Sequence, residues 1–198
     1  MKTRCAWCGT DPESIRYHDE VWGVPVHDDR TLFEFLVLEG AQAGLSWVTI
    51  LKRQKKYRAA FDQFNLERIA TYSACDIERL LAESGIIRNR LKIESVIKNA
   101  QGTLQIQEEF GSFDAFLWRY VDEMPIQNHW RSSAELPVQT KRSEQLSRDL
   151  KQRGFNFVGP TICYAYMQAV GMVNDHTTDC FRYHDVQESP NQRNGSTP

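Results

Sequence analysis

The 198-residue chain has no uninterrupted apolar run of membrane-spanning length and no apolar leader block, so a soluble cytoplasmic protein with no membrane partner is expected. It also lacks an excess of charge of either sign. A net charge of -2 gives no global attraction to nucleic acid, so any such contact must come from local basic clusters and backbone amides. Paired cysteines are missing too: five is an odd number, and in a reducing compartment thiols more often bind metal, do chemistry or pack. No internal repeat, no convincing alternating strand and no H-E-x-x-H or H-x-E signature occurs.

What remains is helical periodicity, and the chain reads as all-α. Met1 to about His27 shows no period and reads as ordered loop. From Asp29 to Ala43, Leu32, Phe35, Leu36 and Ala43 recur at helical spacing, and Phe33, Val37 and Leu38 fill the rest, which predicts a helix nearly surrounded by protein. Ser46 is placed to cap a helix from Trp47 to Phe61 whose outer face carries Lys52, Arg53, Lys55, Lys56 and Arg58. Ser73 with Asp76 resembles a capping box, with Gly85 as the closing cap before a helix over roughly Asn89–Glu109. A helix through Phe113–Val121, a connector over Met124–Pro137, a short helix around Leu146 and Leu150 ending at Gly154, and a hairpin leading into Thr161–Val170 complete the pattern. Residues 1–186 are expected to form a single domain, and 187–198, rich in Ser, Pro, Asn and Gly, a disordered tail.

His176 and Cys180 stand four apart, so on a helix or tight turn both project from one face, as half of a tetrahedral metal site requires. Cys5, Cys8 and His18 lie in the aperiodic N-terminal segment, which would gain order by being clamped to the far end of the chain. Cys5 and His18 can complete the tetrahedron, yet the C-x-x-C pair leaves open which cysteine binds, and ordinary buried thiols remain an alternative. Four protein ligands leave no position for water, so such an ion would be structural.

Glu39 follows Leu32, Phe35 and Leu36 on the apolar stripe, where a carboxylate is costly unless something pairs with it. The plain reading is a bond to backbone or to an arginine. The other is a ligand site: Trp7, Tyr17, Trp22 and Trp47 lie in loops or at a helix start, and together with one carboxylate they would favour a flat, positively charged ligand. In GFNFVGPTICYAYMQAVG, Gly154–Gly171, Pro160 suits a first helical position, and the amides around Gly159 and Thr161 could hold a phosphate, though a plain helical connection has the same form.

Taken together, YHDEVWGVPVHD, LFEFLVLEGAQAGLSWVTIL, ESGIIRNRLKI, GFNFVGPTICYAYMQAVGMVNDH and the early Cys5 with Trp7 resemble the 3-methyladenine DNA glycosylase I family over roughly Cys5–Tyr183. The resemblance implies a helix-hairpin-helix glycosylase fold of two helical lobes, with one structural zinc (Zn2+) joining the termini through Cys5, His18, His176 and Cys180. Cys8 is not among the positions carried over. It further implies a monomeric enzyme that acts on double-stranded alkylated DNA and releases free 3-methyladenine. Glu39, Tyr17 and Trp47 would form the catalytic base pocket with Trp7 and Trp22 beside them, and Gly44 and Leu45 the loop that probes the gap left by the lesion. In MVNDH, the aspartate usual in the wider superfamily is replaced by Asn174, with Asp175 shifted by one. Two rival readings are a noncatalytic zinc-stapled DNA-damage sensor, which requires Glu39 to be salt-bridged, and a zinc hydrolase, which requires an open coordination position.

Overall fold

Asp11, Asp28, Asn65, Asn89, Ser112 and Thr140 each stand one residue before a helix and accept a hydrogen bond from an amide of its first turn. The computed structural model describes residues 2–188. Its helices are α1 (Pro12–Glu20), α2 (Asp29–Gln42), α3 (Trp47–Leu51), α4 (Gln54–Ala60), α5 (Leu66–Ala70), α6 (Ala74–Ala82), α7 (Arg90–Phe110), α8 (Phe113–Trp118), α9 (Lys141–Gln152), α10 (Pro160–Ala169) and α11 (Arg182–Glu188). The expected disordered tail lies outside the described residues from 189 onward, and Gln187 and Glu188 belong to α11.

The architecture is mostly helical, with several departures from expectation. The N-terminal segment is not all loop: Asp11 caps α1, with Pro12 at its first position, and the nine-residue helix buries Tyr17 and His18. The helix expected from Ser46 breaks into α3 and α4 at Lys52–Arg53. Ser46 offers no side-chain cap, its hydroxyl being bonded to that of Thr49 at 2.7 Å. The Ser73–Asp76 box forms, with Asp76 accepting from the Ser73 amide at 2.9 Å, but α6 stops at Glu83, two residues before Gly85. Ile126–Gln127 (β1) pairs in parallel with Val173–Asn174 (β2), and two residues are too few to show a period in sequence.

Every residue of α2 from Leu32 to Ala41 is buried, because the helix is a wall shared by two cores. Leu32, Phe35 and Leu36 face the first, with Phe116 and Leu117 of α8, Leu146 and Leu150 of α9 and Tyr166 of α10. Phe33, Val37, Leu38 and Ala41 face the second, with Tyr57, Phe61, Phe64, Ile69, Leu80, Ile93 and Val96. Trp47 touches both. Among the described residues no helix is long and apolar enough to cross a membrane.

At Gly102 on α7 a Cβ would stand 2.4 Å from the Phe155 ring. Gly102→Ala is therefore expected to destabilise the fold by about 1–3 kcal/mol through overpacking, measured as a lower urea midpoint at unchanged slope.

Candidate active site and metal centre

Glu34 and Glu39 lie on the same helix, both buried, and differ in what meets them. Glu34 accepts from Gln54 at 2.7 Å and from Arg58 Nε at 2.9 Å, the paired state that a buried carboxylate normally requires. Glu39 is 4 % exposed and receives no hydrogen bond or cation among the described residues. Burial alone pushes its carboxyl up to about 8, so at neutral pH the free protein holds it protonated.

Tyr17 stands near this acid, close enough for the Glu39 charge to act on its hydroxyl, and further rings pack around Tyr17. Tyr17 meets Trp47 edge-on at 5.3 Å between centroids and Trp7 at 6.2 Å, and Trp7 meets Trp22 at 4.8 Å. Burial first, and then the nearby Glu39 charge, push the Tyr17 hydroxyl well above its ordinary value, so it stays a neutral donor. The Trp47 indole N–H is buried and makes no hydrogen bond of ordinary geometry, although it lies close enough to the Tyr17 hydroxyl to favour that group's charged form. An unpaired acid and an unpaired donor beside several ring faces suit a flat ligand with a positive charge and its own polar edge.

Just past α2, Gly44 adopts φ +79°, a left-handed conformation that favours glycine, and turns the chain so that Leu45 stays 39 % exposed. Gly159 caps α10 and Thr161 is exposed in its first turn, with Pro160 at the first helical position as expected.

The ligand atoms of Cys5, His18, His176 and Cys180 all lie within 4.8 Å of one another, and all four residues are buried. Cys180 Sγ is 3.4 Å from His18 Nε2 and 3.5 Å from His176 Nδ1, and Cys5 Sγ is 3.5 Å from the same His176 nitrogen. Tetrahedral bonds of roughly 2.0–2.3 Å give ligand separations of roughly 3.3–3.8 Å, which these three contacts match, so the cluster can close around one small cation. The outer nitrogens are already engaged. His18 Nδ1 donates to Asp19 at 2.8 Å, Arg4 grips that carboxylate twice, and His176 Nε2 donates to the Trp22 carbonyl at 3.1 Å. The Cys180 thiol is held well below its ordinary value, first by its contact with Cys5, and Cys5 is pushed up by the same contact. A cation between them would remove that conflict. Cys8 is buried outside the four-donor set. The residues therefore fit a metal ion, and the Cys5 alternative of the C-x-x-C pair is the one the geometry selects.

Sequence reading overlooked the Arg4–Asp19 support. The adjacency of Asp19 to His18 was its only signal. Asp175 also takes a different part from a free catalytic acid: buried, it accepts from Asn128 (2.7 Å), Trp130 (2.8 Å), Tyr164 (2.6 Å) and Gln168 (2.7 Å), which leaves it no free lone pair for a substrate. Asn174 is likewise engaged, donating to Gln127 and to the Tyr183 carbonyl and accepting from the His176 amide.

A family model described as methyladenine glycosylase matches residues 7–183. DNA-3-methyladenine glycosylase 1 of Escherichia coli (strain K12) is 47% identical over 180 residues, 91% of this chain and 96% of that protein. A crystal structure of 3-methyladenine DNA glycosylase I superposes with a TM-score of 0.88 at 50% identity, covering 90% of this chain and 98% of the other. The 3-methyladenine DNA glycosylase I of Staphylococcus aureus, whose structure was solved for its recognition of 3-methyladenine, gives 0.87 at 41% identity over 89% and 94% of the two chains.

The raised Glu39 carboxyl fixes a pH dependence. The folded state keeps its proton up to about 8, whereas the unfolded chain releases it near 4.5, so between those values the folded state holds the extra proton. Stability therefore falls as pH rises through this window, by up to about 1.4 kcal/mol per unit, and levels off above it. Glu39→Gln is expected to melt higher than the parent, with a gap that widens from pH 5 to pH 8. A pH-independent gap in calorimetry would contradict the assignment.

Proposed function

The chain belongs to the methyladenine glycosylase family, and on that premise we propose that it hydrolyses the N-glycosidic bond of 3-methyladenine in alkylated DNA and releases the free base. The observation that carries this reading is Glu39, buried without a partner beside Tyr17 and Trp47.

Methylation at N3 gives the adenine a positive charge and weakens its bond to deoxyribose. The base leaves with the bonding electron pair as a neutral molecule, water adds at C1′, and the proton of that water passes to solvent. No acid has to protonate the leaving group, which agrees with Asp175 being fully engaged. Turning the base out of the duplex costs a few kcal/mol, against about 2 kcal/mol from a desolvated cation over an aromatic face and roughly 1.5–3 kcal/mol from a charged hydrogen bond. The incoming cation is the partner that Glu39 lacks, and as the base enters the Glu39 proton passes to solvent. Tyr17 and Trp47 orient the base, Trp7 and Trp22 wall the slot, and the Trp47 N–H meets an acceptor on the base edge. An undamaged adenine brings no positive charge, so Glu39 keeps its proton and no charged hydrogen bond forms to offset the cost of flipping; selectivity comes from that missing attraction.

In this reading residues 1–186 form one domain of the helix-hairpin-helix type, acting as a monomer in the cytoplasm, where thiols stay reduced. Gly44 and Leu45 enter the duplex at the lesion, and the amides near Gly159 and Thr161 hold a backbone phosphate at the start of α10. The four-donor cluster takes zinc, which ties the N-terminal segment to the 176–180 turn and, with no open position, plays a structural part. A noncatalytic sensor would require Glu39 tied to a cation, and among the described residues none reaches it.

Glu39→Gln is expected to lose excision from methylated duplex DNA by about 100-fold or more while remaining folded, read as free 3-methyladenine by chromatography. Undiminished release would refute the role of Glu39. Elemental analysis should find one zinc per chain, lost in Cys180→Ser together with a lower Tm. Metal-free protein with parental Tm and activity would remove the zinc clamp.

A further inference from the structure

The end of α2 carries the pocket acid at Glu39 and runs directly into the exposed turn at Gly44 and Leu45. A helix end leaves carbonyls without partners, and here the partners of those from Gly40 to Ala43 can be traced. Gly40 and Gln42 carbonyls accept from the amides of Ala43 (3.4 Å) and Leu45 (2.7 Å). Those of Ala41 and Ala43 accept from one ammonium, Lys92 Nζ, at 2.8 and 2.7 Å, reaching across from α7. Lys92 is half-buried, makes no ion pair with any carboxylate among the described residues, and burial lowers its pKa. Its charge is thus spent on the negative end of α2.

The same face of α7 holds a second loop. One turn on, the Ser95 hydroxyl donates to the Lys92 carbonyl at 2.6 Å. Two turns on, Asn99 donates to the Asn156 carbonyl at 3.0 Å and accepts from the Asn156 amide at 2.9 Å. Asn156 and Phe157 precede the α10 start, and Phe157 lies 3.2 Å from where a Gly40 side chain would begin. The rigid 21-residue α7 therefore carries, on one stripe, the holder of the Gly44–Leu45 turn and the holder of the turn leading to Gly159.

We propose that Lys92 is a positioning residue for lesion probing: by binding the Ala41 and Ala43 carbonyls it sets the Gly44–Leu45 turn at a fixed height relative to the Asn156–Gly159 turn, so that both engage one duplex. This rests on the part assigned above to Leu45, and the test separates the two. Lys92→Met keeps the stem and removes the donors. Its kcat/KM on methylated duplex is expected to fall about 10-fold or more, while binding of free 3-methyladenine, followed by tryptophan fluorescence, stays within about twofold. Lys92→Arg should recover part of the loss. Leu45→Gly should also impair duplex excision, and the double variant Leu45→Gly/Lys92→Met should be no worse than the poorer single one, because the ammonium acts through that turn.

Parental duplex activity in folded Lys92→Met, or an equal loss of free-base binding, overturns the proposal. So do additive losses in the double variant. If Leu45→Gly itself excises normally, the part given to that turn falls and the proposal with it. If Leu45→Gly is impaired and Lys92→Met is not, only the proposal falls. Absence of 3-methyladenine release by the parent protein would instead defeat the glycosylase reading.

Discussion

A buried carboxyl group without a partner is the constraint on which the site depends. Glu39 is affordable only because it stays protonated to about 8, and it stays protonated only because α2 is buried on both of its flanks. The two cores that share α2 thus do more than stabilise it. They bury one acid without bringing a cation to it, the arrangement that the proposed alkylated purine would complement.

The remaining elements position the rings of the proposed slot. Tyr17 and His18 are neighbours on α1, so the helix that brings a ring to the pocket also brings a donor to the four-residue metal cluster. Trp22 works the same way, its ring on His176 at 4.6 Å and its carbonyl accepting from that imidazole. In the proposed clamp, joining Cys5 and His18 to the 176–180 turn would fix the aromatic wall and order a segment with little periodicity. On the opposite flank, α7 holds the turns that flank the slot through Lys92 and Asn99.

Much of this was legible in the sequence, and the limits have physical reasons. The long helices announced themselves through periodicity and caps, as with Asn89 before α7. The metal quartet could be assembled from His176, Cys180 and the family resemblance, but spacing alone could not choose Cys5 over Cys8, since that depends on which sulfur meets the other three donors in space. α1 was missed because its nine residues carry one tyrosine, one isoleucine and a histidine in place of an apolar stripe, although Asp11-Pro12 was a usable start signal. Glu34 and Glu39 look alike on the helical stripe; only the fold brings Gln54 and Arg58 to the first and nothing to the second. Lys92 stood inside a quoted motif, and its meaning lies in two carbonyls some fifty residues away in the chain.

The most direct measurement is the protonation state of that one acid, followed by carbon NMR of a labelled Glu39 carboxyl across pH, first alone and then with saturating 3-methyladenine. A free-protein midpoint near 8, falling by several units when the base is bound, is the predicted result. A midpoint at the ordinary carboxylate value in the free protein, unmoved by the base, would contradict the account.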